Sequence, residues 1–487
     1  MRTMKARRRT LPFLEASASP SSGGKYSRTF PRYRVPLDDD QDEEDDGEFE
    51  EKIKEKGGWF PALFSASSGG GGGAYDASAL RGVRRDLERR FEGQQLRWIE
   101  LRPPSEKRQG QGAATGARAL AALWRAAADA RSGGPLVAVA LPGADPRLVR
   151  RWKAMFDWWQ QEQQQQQREE SGAEGGDGAV QVEYWKESDL VPCVKLTPSV
   201  ASAPSSSSAA EAASIASASS SRSSSAATVV NERTRSWVRR VLVKMRICPF
   251  TRSDKKSGQG LGDVGVPVAD IDYRYSGASA SDVETLMADA WDAVADMLDA
   301  GPGAVSSVLL AAPEFDGDFD TWAGPVFALL EAGVIAAGAE GDVGVVCFHP
   351  EYRTPDGTTF PGFGHMHSVP RLEKWVRETA EAEARAEKRR AMFASSGRGE
   401  VDDEGGDDLA SGVGVGVPEL TTEEIAAGGA WQRRTPHATI NVLRAEQLQA
   451  AEGRRSTPEL YARNVAKLVV DVGLDRLRDD LDRERGE

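Results

Sequence analysis

Between Val229 and Gly473, short apolar runs alternate with stretches whose apolar residues recur at helical spacing. That alternation constrains the fold more than any other feature of the chain. Trp237, Val238, Val241, Leu242 and Met245 form one helical stripe, with Asn231 as its candidate cap and Ile247-Cys248-Pro249 as its stop. Ile271, Tyr273 and Tyr275 alternate with Asp272 and Arg274, as in a half-exposed strand. The most regular stripe runs from Val283 to Leu298, behind a Ser281/Glu284 capping pair and ahead of Gly301-Pro302-Gly303. Val308–Ala312 and Val343–Phe348 are continuous apolar runs, and between them a helical pattern contains Pro325, which kinks or starts it. The segment Thr435–Arg444 follows an insertion, and Thr457-Pro458 opens a last helix that Gly473 ends.

Uninterrupted apolar strands are expected where both faces of a sheet are covered, and strands alternating with helices imply parallel crossovers. The expectation is an α/β domain over about 229–475 with a small, mainly parallel sheet and flanking helices. An α+β sandwich containing antiparallel pairs is the alternative. In a parallel sheet, ligands bind beyond the carboxyl ends of the strands. Here those ends are Ser276, Pro313-Glu314-Phe315 and His349-Pro350.

The rest of the chain divides by composition, with long segments read as disordered. Residues 1–36 are basic and Ser-rich, with Glu15 their single acid, which is the profile of an organellar transit peptide or of a basic tail. This leaves a mitochondrial, plastid or cytoplasmic location open. Residues 37–79 hold an acidic block and a Ser/Gly linker. Residues 80–199 carry helix and strand patterns, among them Leu136–Leu141, and read as a small α/β module or an ornament on the next domain. Residues 200–228 are a Ser/Ala linker, an insertion occupies about 372–430, and 476–487 form a charged tail. The net charge of −13 argues against duplex nucleic acid as a partner. Three cysteines exclude a disulfide scaffold, and no continuous apolar run approaches a bilayer's thickness. The signatures of phosphate loops, nucleophile elbows, Cys-x-x-Cys redox centres and HExxH zinc sites are missing.

Trp237-Val238, Cys248-Pro249-Phe250, Phe348-His349-Pro350-x-Tyr352, Thr435-Pro436 to Leu443-Arg444, and Arg463-Asn464 occur in the order seen in one family. Over about residues 229–475 the chain resembles the uncharacterised domain-of-unknown-function family 1415. The resemblance implies one compact domain and supplies no reaction, substrate or cofactor. It has two departures: Asn441 stands where many members have histidine, and His437 where an aromatic or other residue is more usual.

Among chemically capable residues, His349 ends a buried strand and Glu314 ends its expected neighbour, so a carboxylate would orient the imidazole as an acid–base couple. Cys248 is the candidate nucleophile, although a helix C-terminus opposes a thiolate. Tyr352, Thr439, Asn441 and Arg444 are the candidate ligand contacts, with Arg444 as clamp for a carboxylate or phosphate. Each has a plain structural alternative: sealing a helix end, capping, or an ion pair. His365-Met366-His367 has a two-ligand metal spacing, but no metal site is assigned. The functional expectation is a domain that binds or converts a small anionic molecule, cofactor unknown. A non-catalytic interaction protein, with the low-complexity arms holding partners, is the alternative.

Overall fold

The computed structural model describes residues 225–248, 250–262, 265–357, 364–395, 417–452 and 457–486, with parts of 81–89 and the helices and strands between 96 and 197. The transit-peptide, acidic and Ser/Gly segments, most of the Ser/Ala linker and the Gly-rich part of the insertion lie outside the described residues.

Two mixed sheets organise the chain. In the first, β1 (Leu96–Glu100), β2 (Leu136–Ala140), β3 (Gln181–Trp185) and β4 (Cys193–Thr197) lie in the order β1-β2-β4-β3. In the second, β5 (Lys256–Ser257), β6 (Ala269–Tyr275), β7 (Val305–Ala311), β8 (Val343–Phe348) and β9 (Thr439–Arg444) lie in the order β5-β6-β7-β9-β8. The helices of the first unit are α1 (Gln111–Arg131) and α2 (Pro146–Ser171). Those of the second begin with α3 (225–244), α4 (Val283–Ala300) and α5 (319–336). They continue with α6 (Val369–Ser395), α7 (Thr422–Trp431), α8 (Ala445–Glu452), α9 (457–472) and α10 (Leu474–Arg485).

The second sheet is not mainly parallel. Only β6 and β7 pair parallel, whereas β5–β6, β7–β9 and β8–β9 are antiparallel. The apolar runs of β7 and β8 report two covered faces correctly; strand direction was the wrong inference from them. Because β8 and β9 run antiparallel as neighbours, β9 enters between β7 and β8 from the end at which β8 leaves. The insertion, α6 and α7, spans that turn.

Side chains alternate across the sheet and sort into two cores. Val308, Leu310, Val345, Cys347, Ile440 and Val442 face α4 and α5. Leu309, Val346 and Phe348 face the other way, toward Trp237, Val238 and Val241 of α3, Leu468 of α9 and Leu477 of α10. Helix ends differ from the expected ones in two places. Asp282, not Ser281, caps α4 by accepting from the Thr285 amide, while Glu284 takes the Trp159 indole N–H instead. Asn231 lies inside α3 and donates to the Tyr273 carbonyl. Pro325 falls in a π-helical stretch of α5, Trp322–Val326, where its missing N–H is tolerated. α5 is also long and apolar enough to cross a membrane, but most of its surface is covered within the fold.

The two units share one connectivity. Strand, helix, parallel strand, helix, then an antiparallel pair with the last strand inserted describes both β1-α1-β2-α2-β3-β4 and β6-α4-β7-α5-β8-β9. Equivalent helices meet: α1 packs on α4 and α2 on α5, inside one continuous core that holds Trp124, Trp152 and Phe156 together with Trp291 and Leu330.

Candidate functional site

On the α3 face of the second sheet, the chain leaves a cavity of about 200 Å³. Its floor is the outward side of the strands: Ile271, Ser307, Leu309, Val346, Phe348, Asn441 and Leu443. Its walls come from α3 and the turn after it (Trp237, Leu242, Cys248, Thr251), from Gln432 and Arg433 after α7, and from Leu448, Tyr461 and Asn464 of α8 and α9. The lining is largely apolar with a few polar groups, the usual make-up of a small-molecule site. Among the described residues that line it there is no carboxylate and no imidazole.

The polar groups of the cavity fall into two kinds. Some satisfy one another. Asn464 donates through Nδ2 to the Ile247 carbonyl (2.9 Å) and to Gln432 Oε1 (3.1 Å), and Gln432 Nε2 reaches the Gly428 carbonyl. Cys248 Sγ lies 3.5 Å from Thr251 Oγ1, which lies 3.3 Å from Ser257 Oγ. The others are left over. Asn441 Oδ1 and Trp237 Nε1 are buried and have no hydrogen-bond partner. The Arg433 guanidinium sits 5.3 Å from the centroid of the Phe348 ring and has no carboxylate partner among the described residues. Its charge acts on the Cys248 thiol, but burial dominates and pushes that thiol above its ordinary value, so Cys248 is a protonated lining group.

Of the residues singled out from sequence, Cys248 and Asn441 meet in this cavity. The others are elsewhere, and strand parity says why. His349, one residue beyond Phe348, points to the opposite face, between Phe319 and Trp322. Its Nδ1 accepts from the Glu351 amide at 3.0 Å, so Nε2 carries the proton and donates to the Phe315 carbonyl, also at 3.0 Å. With both ring nitrogens engaged, and burial holding its pKa below the ordinary value, His349 is fixed as a neutral imidazole. Glu314 is exposed and makes no hydrogen bond to it. Tyr352 is buried on the same face; its hydroxyl lies 3.3 Å from His365 Nδ1 and accepts from the Met366 amide. Thr439 donates to the His437 carbonyl.

Arg444 is a geometric correction. In a parallel strand its place at the carboxyl end would put it beside His349. In antiparallel β9, Thr439 pairs with Phe348 and Arg444 with Val343, so Arg444 lies at the far end of the sheet, roughly 17 Å away at strand rise. There it donates to the Val305 and Met297 carbonyls, fastening the end of α4 to the start of β7.

The carboxylate–imidazole couple expected at His349 and Glu314 is formed instead by His437 and Asp316. His437 Nδ1 lies 2.8 Å from Asp316 Oδ2, and the Ala438 amide donates to Asp316 Oδ1. Thr435 and Thr439 both clamp the His437 carbonyl. This arrangement orients the ring and leaves its Nε2 buried without a hydrogen bond. His365 and His367 do not act as a pair: one stacks on Tyr352, the other packs against Trp375 and Tyr461, and burial pushes each down to about 3. Among the described residues, no three His, Cys, Asp or Glu side chains are grouped to hold a metal ion.

Residues 229–360 match the family model described as Protein of unknown function (DUF1415). No curated protein matches the chain, and no solved structure matches it. The DUF1415 match runs from α3 past β8 and stops before the insertion, short of the 475 to which the sequence resemblance extends. It supplies the α3 wall and most of the cavity floor. Arg433, Asn441 and Asn464 lie beyond it. Sequence reading missed Arg433, Gln432 and the Thr251–Ser257 pair. The available signal was Arg433-Arg434, a basic pair directly before the Thr435–Arg444 segment.

Proposed function

We propose that this domain binds a small organic anion in the cavity on the α3 face, with Arg433 as the charge that selects it. The observation carrying this reading is an arginine that has no acidic partner among the described residues and stands at the wall of a mostly apolar cavity. An arginine fork favours a carboxylate or phosphate, and a low-dielectric lining strengthens that attraction. Binding rather than acid–base catalysis fits the cavity, because the described lining offers neither an imidazole nor a carboxylate to move a proton.

Calorimetric titration of the full chain with hexanoate, hexylamine and hexanol tests the charge preference. Hexanoate should bind and hexylamine should not. Arg433→Gln should weaken hexanoate by about tenfold or more, the scale of one charge-assisted hydrogen bond, without changing the thermal midpoint of the ligand-free protein appreciably. Equal binding of all three compounds, or an Arg433→Gln protein that binds hexanoate as well as the wild type, contradicts the proposal.

A further inference from the structure

We infer that the basic end of α6 is a docking surface for the chain's own acidic segment, Glu400–Asp408, which withholds it from other polyanions. Among the described residues, α6 is covered only as far as Glu383. Up to that point Leu372, Trp375, Val376 and Ala380 pack into the core, and Glu383 accepts from the Arg463 guanidinium of α9 at 3.2 Å. Beyond it, Arg385, Glu387, Lys388, Arg389 and Arg390 are all exposed, and Met392 is 71% exposed. Arg385 pairs with Glu381 one turn back, whereas Lys388, Arg389 and Arg390 have no acidic partner among the described residues. None of these four cations lies in the last turn of the helix, where its dipole would favour them.

The course of the chain brings the acidic segment to this surface. The stretch Val417–Thr422 runs antiparallel to α6: the Thr422 hydroxyl donates to Glu373, and the Val417 amide donates to Glu383 Oε2 at 2.7 Å. The chain thus leaves α6 at Ser395 and is back on the same helix at Glu383. Residues 396–416 therefore begin and end about 18 Å apart along its axis, with the four cations between the two anchors. Those residues carry Glu400, Asp402, Asp403, Glu404, Asp407 and Asp408 against a single base, Arg398. Reach is not limiting, since the run from Asp408 to Val417 can extend to about 30 Å. Screened surface ion pairs are individually weak, but a short tether holds the two charge sets together at an effective concentration of about millimolar. The acidic block Asp38–Glu51 has matching charge, yet it is joined to α6 only through both folded units, so its closure entropy is greater.

Cleavage of the full chain by a glutamate-specific endoproteinase reads the docked state at Glu400 and Glu404. Lys388→Gln, Arg389→Gln and Arg390→Gln together keep the helix propensity and remove the charges. They should speed cleavage at both sites by about threefold or more and leave the thermal midpoint unchanged. Equal rates in the two proteins overturn the inference. The reciprocal variant, with the six acids of Glu400–Asp408 replaced by their amides, should stay on heparin to higher salt than the wild type. Adding the three glutamine substitutions should abolish that gain, and a gain that survives them means that the basic end of α6 is not the surface withheld. In the wild type, a zero-length carbodiimide should join Lys388 to a carboxylate of Glu400–Asp408. This measurement decides the matter if the glutamine variant folds poorly. Absence of that link, or a link to Asp38–Glu51 in its place, overturns the choice of occupant.

Discussion

At the scale of single residues, the most instructive contrast is between polar groups that are already partnered and those that are not. His349 looked like the better base because it ends a strand, yet its two nitrogens are occupied by backbone groups of Phe315 and Glu351. Arg433, which stands in no motif, is the group left with unmet capacity. Sequence can name a residue's chemistry but not its full set of hydrogen-bond partners, since some of them, like Phe315 for His349, come from segments far along the chain. Glu331 of α5 is another residue whose behaviour depends on its setting. It accepts from the Gly364 amide at 2.9 Å, and desolvation pushes its carboxyl from 4.5 up to about 8. The folded state therefore keeps a proton that the unfolded state has lost, so its contribution to stability is complete below pH 4.5 and disappears as the pH rises through 8. Glu331→Gln, which cannot titrate, should match the wild type in melting temperature near pH 4.5 and become progressively more stable than it toward pH 8. Melting curves that stay parallel across that range would show that Glu331 is ionised in the fold.

Strand and helix identities were legible from spacing: the stripes of α4 and α9, the apolar runs of β7 and β8, and the Thr457-Pro458 and Gly473 ends all appear where their residue patterns put them. Strand direction and order were not legible. An apolar run records that both faces are buried, and nothing in Thr435–Arg444 says that it will slot between two earlier strands. That single topological fact sends Arg444 to the opposite end of the sheet, while the alternation of side chains puts His349 and Cys248 on opposite faces. Of the residues singled out from sequence, Cys248 and Asn441 line the cavity, and Arg433 was not among them. Since the two faces are separated by the sheet, substitutions on one should leave the other's binding intact. His349→Ala removes the partners of the Phe315 carbonyl and the Glu351 amide, and should cost about 1–3 kcal/mol in urea denaturation. Hexanoate affinity of the folded variant should be unchanged. A loss of affinity with unchanged stability would reverse the assignment of His349 as a positioning group for the backbone.

For the whole molecule, the repeated connectivity matters most. The first unit does not sit on the second as a loose attachment: α1 and α2 share a core with α4 and α5, and the Trp152 indole donates to the Ala336 carbonyl at 2.7 Å. The facing helices carry opposite charges. Arg118 and Arg125 of α1 lie against Asp289, Asp292, Asp296 and Asp299 of α4. Two copies of α4 facing each other would set these aspartates against one another, so the ion pairs favour the contact within the chain. Sequence left a small α/β module or an ornament open here; the shared order of elements could not be seen, because the Pro142 and Pro313 strand ends are too short a signal to reveal a repeat. If the two units hold together through this core, a protease site inserted between Ser206 and Ser207 and then cut should leave the fragments co-eluting as one species in size-exclusion chromatography. Separate elution of two folded fragments would mean that the core between them is not a stable one.

If the α3-face cavity, and not the His349 end of the sheet, holds a small anion, the ligand can be located directly. Diffraction from crystals grown with 6-bromohexanoate, collected at the bromine edge, locates such a ligand without reference to any assumed pose. The bromine should appear in the apolar part of the cavity, near Leu242, Leu309 and Leu443, with the carboxylate on Arg433. A bromine peak at the His349 and Glu314 edge of the sheet, or an empty cavity at a concentration that saturates binding in solution, would contradict it.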